Sequence, residues 1–174
     1  MSFNKNNYRS HDYKFLVRRW RTVCRIAGLK IKKVAEIDGF PCFEITSRVI
    51  KEQNVLYLSA GIHGDESGST EGLLAWAESN VDRLSSLPLL IYPCLNPWGL
   101  INNSRWDAKG IDLNRIWKNP RNPLIEHIMS RTKKINLQLV ITLHEDFDGQ
   151  GVYLYEPSRN GISDGRADAI ISAA

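Results

Sequence analysis

The chain has 174 residues, of which 43% are hydrophobic and 24% charged, with a formal net charge of +4. That length and balance suit one globular domain with a real core. No apolar run approaches the roughly 20 residues of a membrane helix, and the polar start MSFNKNNYRSHDYK has no signal-peptide core, so a cytoplasmic protein without a membrane partner is expected. The three cysteines, Cys24, Cys42 and Cys94, are widely spaced and odd in number. They form neither a disulfide framework nor a cysteine zinc site. Their apolar neighbours predict buried free thiols, and any metal must be held by histidine and carboxylate.

The positive charge is local. Residues 1–33 hold ten Lys and Arg against one acid, Asp12, which leaves thirteen basic and eighteen acidic residues elsewhere, a balance of −5. Within this segment, Asp12 to Ala27 predicts an amphipathic helix. Leu16, Trp20, Val23, Cys24 and Ala27 recur at spacings of three and four, and Gly28 is a natural stop. Lys14, Arg18, Arg21 and Arg25 form a basic stripe on another face. It reads as a solvated surface, because no aromatic-interleaved nucleic-acid motif accompanies it, and no nucleic-acid partner is expected.

Further along, Val34–Ile37, Asp38-Gly39 and Cys42–Thr46 predict a hairpin. Val55–Ala60 (VLYLSA) is a short apolar run of the kind found in buried strands. The loop GIHGDESGS follows, and then a helix over Thr70–Ser79. Leu87–Leu95 reads as a second buried strand. The stretch 96–123 is rich in Asn, Pro, Gly and Trp and shows no period, so it reads as a long functional loop in which Trp98, Trp106 and Trp117 favour burial. A helix over Leu124–Lys133, a third buried strand over Leu137–Leu143 and a further strand over Val152–Tyr155 complete the pattern. Strands alternating with helices imply an α/β layer architecture.

Two strand ends carry candidate chemistry. His63 and Glu66 follow VLYLSA, and His144 follows LQLVITL. Ligands gather at the carboxyl ends of parallel strands, so the two loops share an edge if these strands are parallel. Two histidines and one carboxylate form a catalytic zinc set with a fourth position for water. Each part alone is unspecific: H-x-x-E is common, and a lone strand-end histidine is ordinary.

The series GIHGDES, CLNPWG, SRWDAKGIDLNR and LHED, over about residues 54–156, resembles the zinc carboxypeptidase superfamily. That group spans digestive-type carboxypeptidases, murein-peptide amidases, and the succinylglutamate desuccinylase and aspartoacylase deacylases. The resemblance implies a mixed, largely parallel central sheet flanked by helices. It implies one zinc per chain on His63, Glu66 and His144. Asp112 resembles the acid that orients a zinc-bound histidine, Arg105 the arginine that steadies the oxyanion, and Asn114 and Arg115 the pair that holds a substrate carboxylate. Asn96-Pro97-Trp98-Gly99 resembles the family's Asn-Pro-Asp-Gly turn, a structural motif. The implied activity is cleavage of an amide bond beside a free carboxylate in small peptides. The alternative is deacylation of an N-acyl amino acid.

Residues 1–50 carry no family motif and read as a basic helix-and-hairpin extension packed on a catalytic core of residues 51–174. The family's general base, a glutamate on a late strand, has no counterpart in context among Glu145 and Glu156, so it is expected beyond Ala174. The ending ADAIISAA reads as uncapped helix, and the chain reads as C-terminally truncated.

Overall fold

The computed structural model describes residues 9–50, 54–156 and 165–172. The first eight residues, the expected boundary at residue 51 and the final two alanines lie outside these. Helix α1 spans Tyr13–Ala27; the Asp12 carboxylate accepts from Phe15 N–H at 2.9 Å, and Gly28 leaves the helix at φ 66°. Both ends therefore follow the residue types: an Asp satisfies a free N–H, and a glycine takes the left-handed exit without strain. The buried face is Tyr13, Leu16, Trp20, Val23, Cys24 and Ala27.

Strands β1 (Lys30–Ile37) and β2 (Phe40–Thr46) form the hairpin, with Asp38 and Gly39 both at positive φ, 50° and 81°. Such turns match the twist of the flanking strands. Next come β3 (Val55–Ser59), α2 (Ser67–Ser79), α3 (Val81–Leu84), β4 (Leu89–Tyr92), α4 (Pro97–Asn102), a 3-10 turn (Leu113–Arg115), α5 (Pro123–Thr132), β5 (Leu137–Thr142) and α6 (Arg166–Ser172). The sheet order is β1-β2-β4-β3-β5. The hairpin joins antiparallel, whereas β4, β3 and β5 run parallel. The result is the expected mixed sheet with helices around it.

The central strands are buried on both faces, which is why they read as unbroken apolar runs. Leu58, Leu89 and Ile91 face α1, α2 and α3, while Val55, Tyr57, Leu90 and Tyr92 face α5. Each such Leu or Ile contributes about 1.5–3 kcal/mol of burial. Between α1 and α2, the Arg19 fork grips Glu78 at 2.9 and 2.7 Å and also reaches Glu71 at 2.7 Å. No helix among the described residues is long and apolar enough to cross a membrane.

Four expectations are corrected. Residues 97–102 form a helix, α4, within the stretch read as loop. Trp106 is 51% exposed, because its ring stands on a turn built from backbone bonds rather than in the core. Among the described residues β5 is an edge strand: Gln138, Val140 and Thr142 are exposed while Leu137, Leu139 and Ile141 are half-buried. Its apolar run reflected one covered face. Val152–Tyr155 forms no strand and is exposed, since no neighbour among the described residues offers it a ladder.

Candidate metal centre

The parallel pairing of β3 with β5 brings their carboxyl ends side by side, with Ser59 opposite Thr142. The loop after β3 is then shaped by two glycines. Gly61 (φ 64°) donates to Ser69 Oγ at 3.1 Å, and Ser69 Oγ donates to the Glu66 carbonyl at 2.7 Å. Gly64 lies flat on the start of α4: a Cβ there would sit 1.9 Å from the Gly99 carbonyl carbon. His63 is thereby held inside the protein. Glu66 occupies the N-cap position of α2, yet its side chain makes no capping bond. It turns to the histidines instead.

A second loop system supports this one. Asn96 caps α4 by accepting from Gly99 N–H at 2.9 Å, donates its amide to the Trp106 carbonyl at 3.1 Å, and gives its own N–H to the Gly61 carbonyl at 2.8 Å. Asp107 accepts from Lys109 and Ile111 N–H, both at 2.9 Å, closing a turn completed by Gly110. That turn sets Arg105 opposite Asp112, whose Oδ2 accepts from Arg105 Nη2 at 3.0 Å and Nε at 3.2 Å. Sequence reasoning placed Asn96 in a structural turn without reading it as a helix cap, and did not single out Asp107. The Asn-Pro pair was a usable signal, because proline favours the first helical position and asparagine the cap before it.

At the centre, His63 Nδ1 lies 2.6 Å from Glu66 Oε1, and His144 Nδ1 lies 2.7 Å from Glu66 Oε2. The far nitrogen of His63, Nε2, lies 3.3 Å from Asp112 Oδ1, and Arg105 Nη1 lies 3.3 Å from His63 Nδ1. One donor atom from each of His63, Glu66 and His144 falls within 4.8 Å of the others, and this is the one such group found among the described residues. An Nε2 proton directed at Asp112 leaves the Nδ1 lone pair of His63 facing the cluster, the arrangement that orients a metal-binding imidazole. Two imidazoles and a carboxylate make a donor set that suits zinc.

Burial alone would raise the Glu66 carboxyl, but the hydrogen bonds and charges of His144 and His63 hold it below the ordinary carboxylate range. Asp112 behaves alike. Desolvation pushes it up; the Asn114 N–H, the His63 charge and Arg105 bring it down. Asn114 and His144 line the same small cavity, of about 90 Å³. Arg115 is exposed on the 3-10 turn and makes no ion pair with the cluster among the described residues. His63, Glu66, His144, Asp112 and Arg105 are thus brought together, Asn114 adjoins them, and Arg115 is left at the rim.

This α/β fold, with a His–Glu–His group at the parallel strand ends, defines a member of the zinc carboxypeptidase superfamily. Within it, the chain belongs to the succinylglutamate desuccinylase/aspartoacylase catalytic-domain family, whose profile matches residues 52–153. Among curated relatives, cytosolic carboxypeptidase 1 of Gallus gallus is 30% identical over 130 residues, which is 67% of this chain and 11% of that protein. Its counterpart in Danio rerio is 36% identical over 91 residues, 46% of this chain and 8% of that protein. The chain thus spans a small part of these relatives. A solved metallopeptidase candidate from Shewanella baltica OS155 superposes with a TM-score of 0.77 at 22% identity, covering 94% of this chain and 66% of that one. A metallo-carboxypeptidase from Burkholderia cenocepacia gives 0.68 at 17% identity, covering 77% and 41%. At these identities the likeness speaks for the fold.

Proposed function

We propose that this chain is the core of a zinc-dependent, metallocarboxypeptidase-type hydrolase that cleaves an amide bond beside a free carboxylate in a small peptide. The observation that carries this reading is the convergence of His63 Nδ1 and His144 Nδ1 on the two oxygens of Glu66. These three residues hold one zinc per chain, and Asp112 fixes the tautomer of His63. The bound ion supplies a water of lowered pKa and a polarised scissile carbonyl. Arg105 stands beside the ligands, where a cation stabilises a developing oxyanion by about 3 kcal/mol. Asn114 and Arg115 hold the substrate carboxylate, for which a planar guanidinium fork is suited. Water adds across the C–N bond and yields a carboxylate and an amine. Glu145 is not read as the base, because its carboxylate is bonded to Gly68 N–H.

The family profile favours a second reading, deacylation of an N-acyl amino acid at the same centre. A cytoplasmic setting fits both readings and rests on the name of the curated relatives. The test is a panel of short peptides against N-acetyl and N-succinyl amino acids, run with this chain and with a version extended past Ala174, both zinc-loaded, and with the Arg115→Ala variant of whichever turns substrate over. Peptide turnover, with KM raised about 10–100-fold in the variant for free-carboxylate substrates, supports the first reading. Turnover confined to the acyl amino acids supports the second. Unchanged kinetics in Arg115→Ala removes Arg115 from substrate binding.

A further inference from the structure

We infer that Glu145 is a positioning residue, whose carboxylate caps α2 from across the site and thereby sets the separation of His144 and Glu66. The inference rests on the metal-site reading above. A helix begins with N–H groups that have no partner inside it, and the N-cap side chain ordinarily accepts from one of them. At the start of α2 that residue is Glu66, whose two oxygens are committed to His63 and His144. The Glu66 carbonyl takes Ser69 N–H at 3.1 Å. Gly68 N–H is left for an outside acceptor, and Glu145 Oε2 accepts it at 2.8 Å.

The connection also runs in the other direction. The backbone N–H of Glu145 lies 3.3 Å from Glu66 Oε2, next to the His144 contact on that same oxygen. Residue 145 therefore grips the start of α2 twice, once through its side chain and once through its backbone, immediately after His144. Among the described residues few other links hold this segment: Leu143 N–H donates to the Ser59 carbonyl at 2.8 Å, and His144 itself is exposed. Position 68 is shaped for the contact. A Cβ on Gly68 would stand 2.8 Å from Glu145 Oε2 and 3.0 Å from its Cδ. A carboxylate there is also favoured by the positive end of a 13-residue helix.

The test uses the whole 174-residue chain, stripped of metal and titrated with Zn²⁺ against a competing chelator, then loaded with Co²⁺ for visible absorption. Glu145→Ala is expected to weaken zinc binding by about 10–100-fold and to change the Co²⁺ band, as loss of a ligand-orienting contact does. Glu145→Gln keeps an acceptor for Gly68 N–H and restores affinity to within about threefold of the parent, by the same reasoning. Melting of the metal-free variants separates this from lost folding, since a purely structural cap shifts the melt and leaves the Co²⁺ spectrum of the loaded protein unchanged. Parental affinity and spectrum in Glu145→Ala overturn the inference, as does a Gln variant as weak as the Ala variant. A parent chain that takes up no zinc instead removes the metal-site reading, and the inference with it.

Discussion

The two histidines of the centre are held in different ways. The side chain of His63 is 4% exposed and sits in a loop wedged between Gly61, Gly64, Asn96 and Asp112. That of His144 is 37% exposed and follows the edge strand β5 with a polar contact to Glu66 Oε2 at 2.7 Å. One ligand is fixed by packing, the other, among the described residues, by a single side-chain contact to Glu66. The difference teaches that a single donor set can join a rigid half to an adjustable one. Damage to the first half appears as lost stability, and damage to the second as lost binding.

The largest expected effect lies on the rigid side. Gly64→Ala places a methyl group against backbone that has no freedom to yield, and about 3 kcal/mol or more of stability is lost. Chemical denaturation of the metal-free protein checks it; a parental midpoint would mean that the loop accommodates the methyl. His63→Ala follows, at about 2–3 kcal/mol, because it empties a buried site and removes the imidazole that faces Asp112 Oδ1. His144→Ala provides the contrast: metal stoichiometry falls to zero while metal-free stability stays within about 0.5 kcal/mol. Equal destabilisation by the two alanines would erase the proposed division.

A smaller effect depends on pH. Asp112 is held below its ordinary value in the folded state, so its contribution is present above the unfolded carboxyl pKa of about 3.9 and is lost as pH falls through the folded one. Asp112→Asn should therefore cost about 1–2 kcal/mol at pH 7, and the gap to the parent should close on acidification below about pH 4. A gap that persists or widens in acid contradicts that assignment. The smallest change has the opposite sign. Gly72 is exposed within α2, with nothing within 4 Å of where a Cβ would stand, so Gly72→Ala should stabilise by about 0.5–1 kcal/mol. Thermal melting read against Gly64→Ala separates steric need from a glycine that serves no packing role.

The rigid half was also the half most legible in the sequence. Val55–Ala60 announced a strand buried on both faces, and the glycine-flanked His63 and Glu66 marked its end. The α1 boundaries were readable because Asp12 and Gly28 have local reasons to be where they are. α4 was missed because the Asn, Pro and Gly of its first turn resemble a loop unless Asn96 is read as a cap. The burial of β5 and a strand over 152–155 were misjudged for a different reason. An apolar run records that some face is covered, and only the neighbours in space decide which. The Glu145 contact had no signal at all, since residues 68 and 145 meet only once β3 and β5 pair.

The three thiols give the molecule built-in reporters of its own opening. Cys24 lies in α1, Cys42 in the hairpin, and Cys94 beneath the Gly61 turn, all fully enclosed. Burial pushes the first two to about 12, with Asp38 adding to the effect at Cys42, and Cys94 higher still. At neutral pH all three keep their protons and are unreactive where they stand. Alkylation in native buffer therefore proceeds only through transient opening, and its rate at each position measures how often that part of the fold breathes. A ligand that binds beside the Gly61 turn would slow the reaction of Cys94 selectively, so a thiol that takes no part in the chemistry becomes a gauge of occupancy next door.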